Sequence, residues 1–126
     1  MRINNSNLEN NSIFTFEDKN KEYEAQIQNI TFVCSQIQPG YAQYVKELAD
    51  HYDEKLSAII RFMLPDIEEM YGIHDMEIIK AALGNAFIDL DNKTLSYLEH
   101  TLDDVHIIDV EFDGVFETFY SVAIDG

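Results

Sequence analysis

The chain has no tryptophan, one cysteine and two prolines in 126 residues, and it is poor in positive charge, with 8 Lys and Arg against 24 Asp and Glu. A single cysteine, Cys34, rules out an intramolecular disulfide and fits a reducing compartment, so a cytoplasmic location is expected. No run approaches the roughly 18 apolar residues that a membrane span requires. Residues 1–11 are polar and Asn-rich without an apolar signal core, and are read as a weakly ordered tail. The last basic residue is Lys93, and residues 94–126 hold eight acids and no Lys or Arg. A formal charge of −16 repels nucleic-acid phosphate and anionic membranes. It attracts basic proteins over a screening length of about 8 Å at physiological salt. There is also no phosphate-binding glycine loop, no Gly-x-Ser-x-Gly elbow, no dinucleotide fingerprint and no basic aromatic patch.

What is present suffices for a core. Hydrophobic residues make up 46% of the chain, with seven Tyr and eight Phe, which sets it apart from a charged disordered segment. The length fits one domain, residues 1–126, with no linker and no internal repeat.

The hydrophobic period changes twice along the chain. Residues 12–16 alternate as a strand, and Asp18, Lys19 and Asn20 supply turn chemistry. From Glu22 the period is two, with Tyr23, Ala25 and Ile27 opposite Glu22, Glu24, Gln26 and Gln28. Parity then shifts to Ile30, Phe32 and Cys34, which a bulge near Gln28–Asn29 would reconcile. Pro39 suits a first helical position. After it, Tyr41, Tyr44, Val45, Leu48, Tyr52, Leu56, Ile59, Ile60 and Met63 recur at helical spacing. Pro65 is expected to break or kink this helix, leaving a short helix over 66–71 closed by Gly72. Asp75 reads as the N-cap of a further helix over 76–83, stopped by Gly84-Asn85.

The remainder reads as a β-meander over 86–90, 94–100, 106–112 and 116–124. Asp91-Asn92-Lys93 forms one turn, and Asp113-Gly114 forms a hairpin of type I′. Ile108, Val110 and Phe112 fall on one face with Asp109 and Glu111 on the other; Tyr120, Val122 and Ile124 alternate in the last strand. Strands, helices, strands predict an α+β fold, an antiparallel sheet with a long central helix and shorter helices packed on one face.

Four groups of residues bear on chemistry. His100, Asp103, Asp104 and His106, with Asp109, offer imidazole and carboxylate ligands near strand ends, the donor types of a divalent-metal site. Their spacing matches no established metal motif, and the favoured reading is a solvated acidic loop with His side chains at strand ends. Asp89-Leu90-Asp91-Asn92-Lys93-Thr94 begins like a calcium loop. It then places Lys93 at a ligand position and has neither the sixth-position glycine nor the closing Glu, so a tight turn is expected. Cys34 continues an apolar strand without a nearby Lys or Arg, the setting of a buried thiol rather than a nucleophile. Tyr41, Tyr44 and Tyr52, with His51 among them, lie at core spacing with hydroxyls reaching toward a rim or pocket. No catalytic residue and no cofactor is assigned.

The segments Thr94-Leu95-Ser96-Tyr97-Leu98-Glu99-His100, Asp103-Asp104-Val105-His106-Ile107-Ile108, Glu111-Phe112-Asp113-Gly114 and Ile124-Asp125-Gly126 resemble a family of small bacterial proteins defined only as a domain of unknown function. The resemblance covers about a third of the chain. It implies a short, acidic, cytoplasmic α+β protein, and that the Tyr–Glu–His and Asp–Asp–x–His segments belong to the family pattern. It carries no activity. In general character the chain is also similar to bacterial immunity proteins, small acidic α+β proteins that cover a basic toxin surface, although it lacks the tryptophan of one large immunity superfamily.

These readings converge on an acidic module that docks on a basic protein through Asp103, Asp104, Asp109, Glu111, Asp113 and Glu117. The alternative is a metal-binding protein or metal-dependent enzyme built on His100, Asp103, Asp104 and His106. Neither nucleic acid nor membrane is an expected partner, and the chain would be a monomer or a homodimer paired through sheet edges or helices.

Overall fold

The computed structural model describes residues 12–126; the expected tail, 1–11, lies outside the described residues. The element order is β1 (Thr15–Glu17), β2 (Glu22–Ile27), β3 (Ile30–Cys34), α1 (Tyr41–Tyr71), α2 (Met76–Leu83), β4 (Ala86–Asp89), β5 (Thr94–Tyr97), β6 (Ile107–Asp113) and β7 (Thr118–Asp125). The strands form one open sheet in sequence order. Every neighbouring pair is antiparallel except β3–β4, which is parallel. The exception to the expected antiparallel sheet follows from the connection: two helices carry the chain from the end of β3 back to the end where β3 began. The class is mixed α+β.

Register separates the two faces. Ala25, Phe32, Ile88, Leu95, Val110 and Val122 lie in one row across six strands. All but the half-buried Val122 are sealed from solvent. They join Val45, Leu48, Ile59, Ile60, Met63 and Ile67 of α1 and Ile79 and Leu83 of α2 in one hydrophobic cluster. Each fully buried side chain of this kind contributes on the order of 1.5–3 kcal/mol.

Several boundaries differ from the sequence-based reading. The parity shift at Gln28–Asn29 is a hairpin turn, not a bulge: Ile27 pairs with Ile30 across two residues, and Gln28 takes φ 55°. Pro39 is not the first helical residue. It sits in a turn closed by Tyr41 N–H to the Gln38 carbonyl (3.1 Å), and Gly40, at φ 87°, precedes the helix. Pro65 does not end α1, which runs unbroken for 31 residues, about 46 Å at 1.5 Å per residue. The stripe that would have to separate there, Ile59, Ile60, Met63 and Ile67, is fully buried, so packing holds the helix across the proline. Gly72 closes it in the left-handed conformation, its N–H donating to the Glu68 carbonyl (2.8 Å). Asp75 caps α2 through the Glu77 and Ile78 N–H groups (2.9 and 3.3 Å).

At the last hairpin, Asp113 pairs with Thr118, so the connection is four residues rather than a two-residue type I′ turn. Phe116 leaves the expected strand, adopts φ 55° and buries its ring against Phe112 (centroids 5.0 Å apart). A register shift at Glu111/Phe112 then leaves Tyr120 on the solvent side, 62% exposed, and turns Phe119, Val122 and Ile124 inward.

Candidate functional site

The loop between β5 and β6 carries the His–Asp group. His100 is buried, and both ring nitrogens are held by main chain: Nδ1 accepts from the Leu102 N–H (3.1 Å), and Nε2 lies 2.7 Å from the His106 carbonyl. A nitrogen that accepts an N–H carries no proton, so Nε2 carries it and donates. Asp103 gathers the rest of the loop. Its Oδ1 accepts from the Val105 and His106 N–H groups (3.0 and 2.9 Å), and its Oδ2 meets the Tyr71 hydroxyl (2.7 Å) and His106 Nδ1 (2.6 Å). Burial works against ionisation of Asp103, but the bonds from Tyr71, His106 and Val105 outweigh it and hold the carboxyl far below the usual carboxylate range. Asp104 is exposed. The structure thus brings Asp103 and His106 together and turns His100 to the backbone. Among the described residues no three His, Cys, Asp or Glu side chains form a group that could hold a metal.

The Asp89–Thr94 segment is a turn whose carboxylates are engaged. Asp89 accepts from the Asp91 and Asn92 N–H groups and the Asn92 amide. Asp91 reaches outward, accepting from Ser35 N–H (2.7 Å), Ser35 Oγ (2.9 Å) and the Tyr41 hydroxyl (2.8 Å). Its pKa is lowered: burial opposes this, and the Ser35 and Tyr41 bonds prevail. Cys34 beneath this turn is 2% exposed, and burial together with Asp91, Asp89 and Glu22 pushes its thiol up to about 11, the opposite of nucleophile activation.

The tyrosines of α1 each tie a different part of the molecule to the helix. Tyr41 bonds Asp91, Tyr44 donates to the Gly114 carbonyl (2.6 Å), Tyr52 meets Tyr97 hydroxyl to hydroxyl, and Tyr71 bonds Asp103. Tyr41 and Tyr44 also border a surface groove of about 410 Å³ with Asp91, Lys93 and Asp113. Those acids already have partners: Asp113 takes the Lys93 ammonium (2.9 Å) and the Gly114 N–H (2.8 Å), which lower its pKa.

The face of the sheet opposite the core is acidic. None of the seven strands contains Lys or Arg. Glu24, Val33, Asp89, Thr94, Glu111 and Ser121 form one row, and Gln26, Thr31, Phe87, Ser96, Asp109 and Ala123 the next. Glu111 accepts from Ser121 Oγ, and Asp109 from Ser96 Oγ. At the β2 end, burial and the nearby charges of Asp89, Glu24, Glu17 and Asp91 raise the Glu22 pKa. Of the sequence-derived docking residues, Asp109, Glu111 and Asp113 share one side of β6. Glu117 lies in the loop beyond its end, accepting from the Val115 N–H (3.2 Å). Asp103 and Asp104 lie past the other end, about 20 Å away at strand rise. The acids of β2 and β4 were missed. The alternation of Glu22, Glu24 and Gln26 marks a polar face, but only the β3–β4 pairing puts it beside Asp89 and Glu111.

The class these features define is an α+β protein with an open acidic sheet face. No family model, curated protein or solved structure matches the chain. No helix of the described residues is long and apolar enough to cross a membrane.

Proposed function

We propose that the protein is a non-catalytic binding module that docks on a basic protein, in the manner of an immunity protein or inhibitor. The observation that carries this reading is the sheet face on which Glu24, Asp89, Asp109 and Glu111 stand with no Lys or Arg in any strand. Complementary charge of this kind accelerates encounter and rejects anionic competitors. The cytoplasmic setting and the resemblance to small acidic bacterial proteins belong to the same reading. So does packing of both helices against the other side of the sheet, which among the described residues leaves this face uncovered by a helix.

The test uses association kinetics with small basic proteins, secreted nucleases first, across a salt series. Asp109→Lys with Glu111→Lys is expected to slow association and flatten its salt dependence, and bound partner should lose activity. Association that ignores both salt and the double substitution would overturn the mechanism. The metal alternative loses support from the geometry of His100, whose ring nitrogens are both taken by backbone.

A further inference from the structure

The acidic face has a recess. It is about 180 Å³, below the roughly 300–1,000 Å³ of drug-sized ligand pockets, and suits a single long side chain. Phe87 and Leu98 give it apolar walls, with Thr31 of β3 beside Phe87, and Leu98 is 46% exposed. Its polar end holds Gln26, Asn85 and Glu99. The Asn85 amide donates to Glu99 Oε1 (3.1 Å), which fixes the carboxylate and leaves Oε2 without a partner among the described residues. The backbone behind it is close-packed: a Cβ on Gly84, at φ 74°, would lie 3.3 Å from the Glu99 carbonyl oxygen. Asp109 lies in the same row as Phe87, two strands away, or about 10 Å.

We propose that this recess is the anchor point of the docking face and receives an arginine side chain of the basic partner. The inference rests on the docking reading and adds the residue class that the site selects. An arginine stem lies along Phe87 and Leu98, while its planar guanidinium donates to the fixed Glu99 carboxylate and the Gln26 amide oxygen. A lysine ammonium, compact and strongly hydrated, matches the charge but not the flat fork or the aromatic wall. Buried arginine anchors of this kind dominate interfaces whose rims contribute little.

The experiment is a titration of the ¹⁵N-labelled protein with a tetra-arginine peptide and, separately, a tetra-lysine peptide at low salt. The expected result is tighter binding of the arginine peptide, with amide shifts centred on Thr31, Asn85, Phe87, Leu98 and Glu99. Glu99→Gln keeps the size and the Asn85 contact, and should weaken the arginine peptide about fivefold or more with the circular dichroism unchanged. Phe87→Ala should do the same, and Glu99→Gln decides the matter where that variant folds poorly. Equal affinity for both peptides, or an unchanged response in Glu99→Gln, overturns the anchor. Salt-sensitive shifts at Glu111 and Asp113 with a silent recess overturn it while leaving the docking reading intact. Binding of neither peptide overturns both.

Discussion

The tyrosine hydroxyls show how single residues fix this fold. Tyr97 is fully buried, and Tyr52 supplies its hydroxyl partner. Removing one hydroxyl strands the other inside the core, at a cost of about 1–3 kcal/mol, whereas removing both leaves nothing unsatisfied. Tyr52→Phe is therefore expected to lower the urea midpoint, and Tyr52→Phe with Tyr97→Phe to lose less than the sum of the two single changes. Strict additivity would show that the pair is not coupled. The spacing of Tyr41, Tyr44 and Tyr52 was legible in the sequence as a helix face. Their partners were not, because Asp91, Gly114 and Tyr97 lie 45–70 residues further along the chain and only the assembled sheet brings them near. Phe116 was misplaced for a related reason. Alternation assigned it to a strand, but a four-residue loop with a left-handed residue delivers its ring to the core.

At the scale of elements, α1 is both the spine and the weak point. Pro65 leaves the Arg61 carbonyl without its intrahelical donor and crowds it. Pro65→Ala is expected to stabilise the protein by about 1–3 kcal/mol, read as a higher urea midpoint with an unchanged slope. A fall in stability would mean that the core around Met63 and Ile67 depends on the backbone geometry that the ring imposes. The same helix sets an alkaline limit. Burial first, aided by nearby carboxylates, pushes Tyr44 and Tyr71 up to about 12; burial also raises Tyr52 to about 12, against a lowering by its bond to Tyr97. Groups raised above their unfolded value of 10 favour the folded state fully below pH 10, and that contribution is lost as pH rises toward 12. Urea midpoints should therefore decline between pH 10 and 12, less steeply in Tyr71→Phe. Periodicity sufficed for residues 41–64 of α1, for α2 and for the face of β6, because each has one sealed and one wet side; the proline rule wrongly cut α1 at Pro65. It failed at the β2–β3 turn, where Gln28-Asn29 lacks the usual glycine, and at the β3–β4 pairing, which no local pattern encodes.

For the whole molecule the decisive quantity is the formal charge of −16, because the fold sets its acids side by side instead of pairing them. The Lys21–Asp18 and Lys93–Asp113 bridges are both exposed and so contribute little. The open face opposes folding through its own repulsion, which adds to burial in raising the Glu22 pKa, and a basic partner would relieve it. The docking face was half legible in the sequence: Asp109 and Glu111 were visible as one side of a strand, while Glu24 and Asp89 joined them only through the sheet. Added salt should raise the melting temperature by screening this repulsion. Acidification should act in two stages of opposite sign. Glu22 has a folded pKa above its ordinary 4.5, so the folded state binds its proton more readily and stability rises as pH falls toward that ordinary value. Asp91, Asp103 and Asp113 are held below their ordinary 3.8, so the stability they supply is complete above that value and is lost as pH falls beneath it. Melting curves from pH 3 to 8 should therefore peak between about 4 and 6. Glu22→Gln should flatten the rise from neutral pH while leaving the acid limb in place. A maximum at neutral pH with no response to salt would show that the acidic face carries no strain for a partner to relieve, and the electrostatic basis of docking would fall with it.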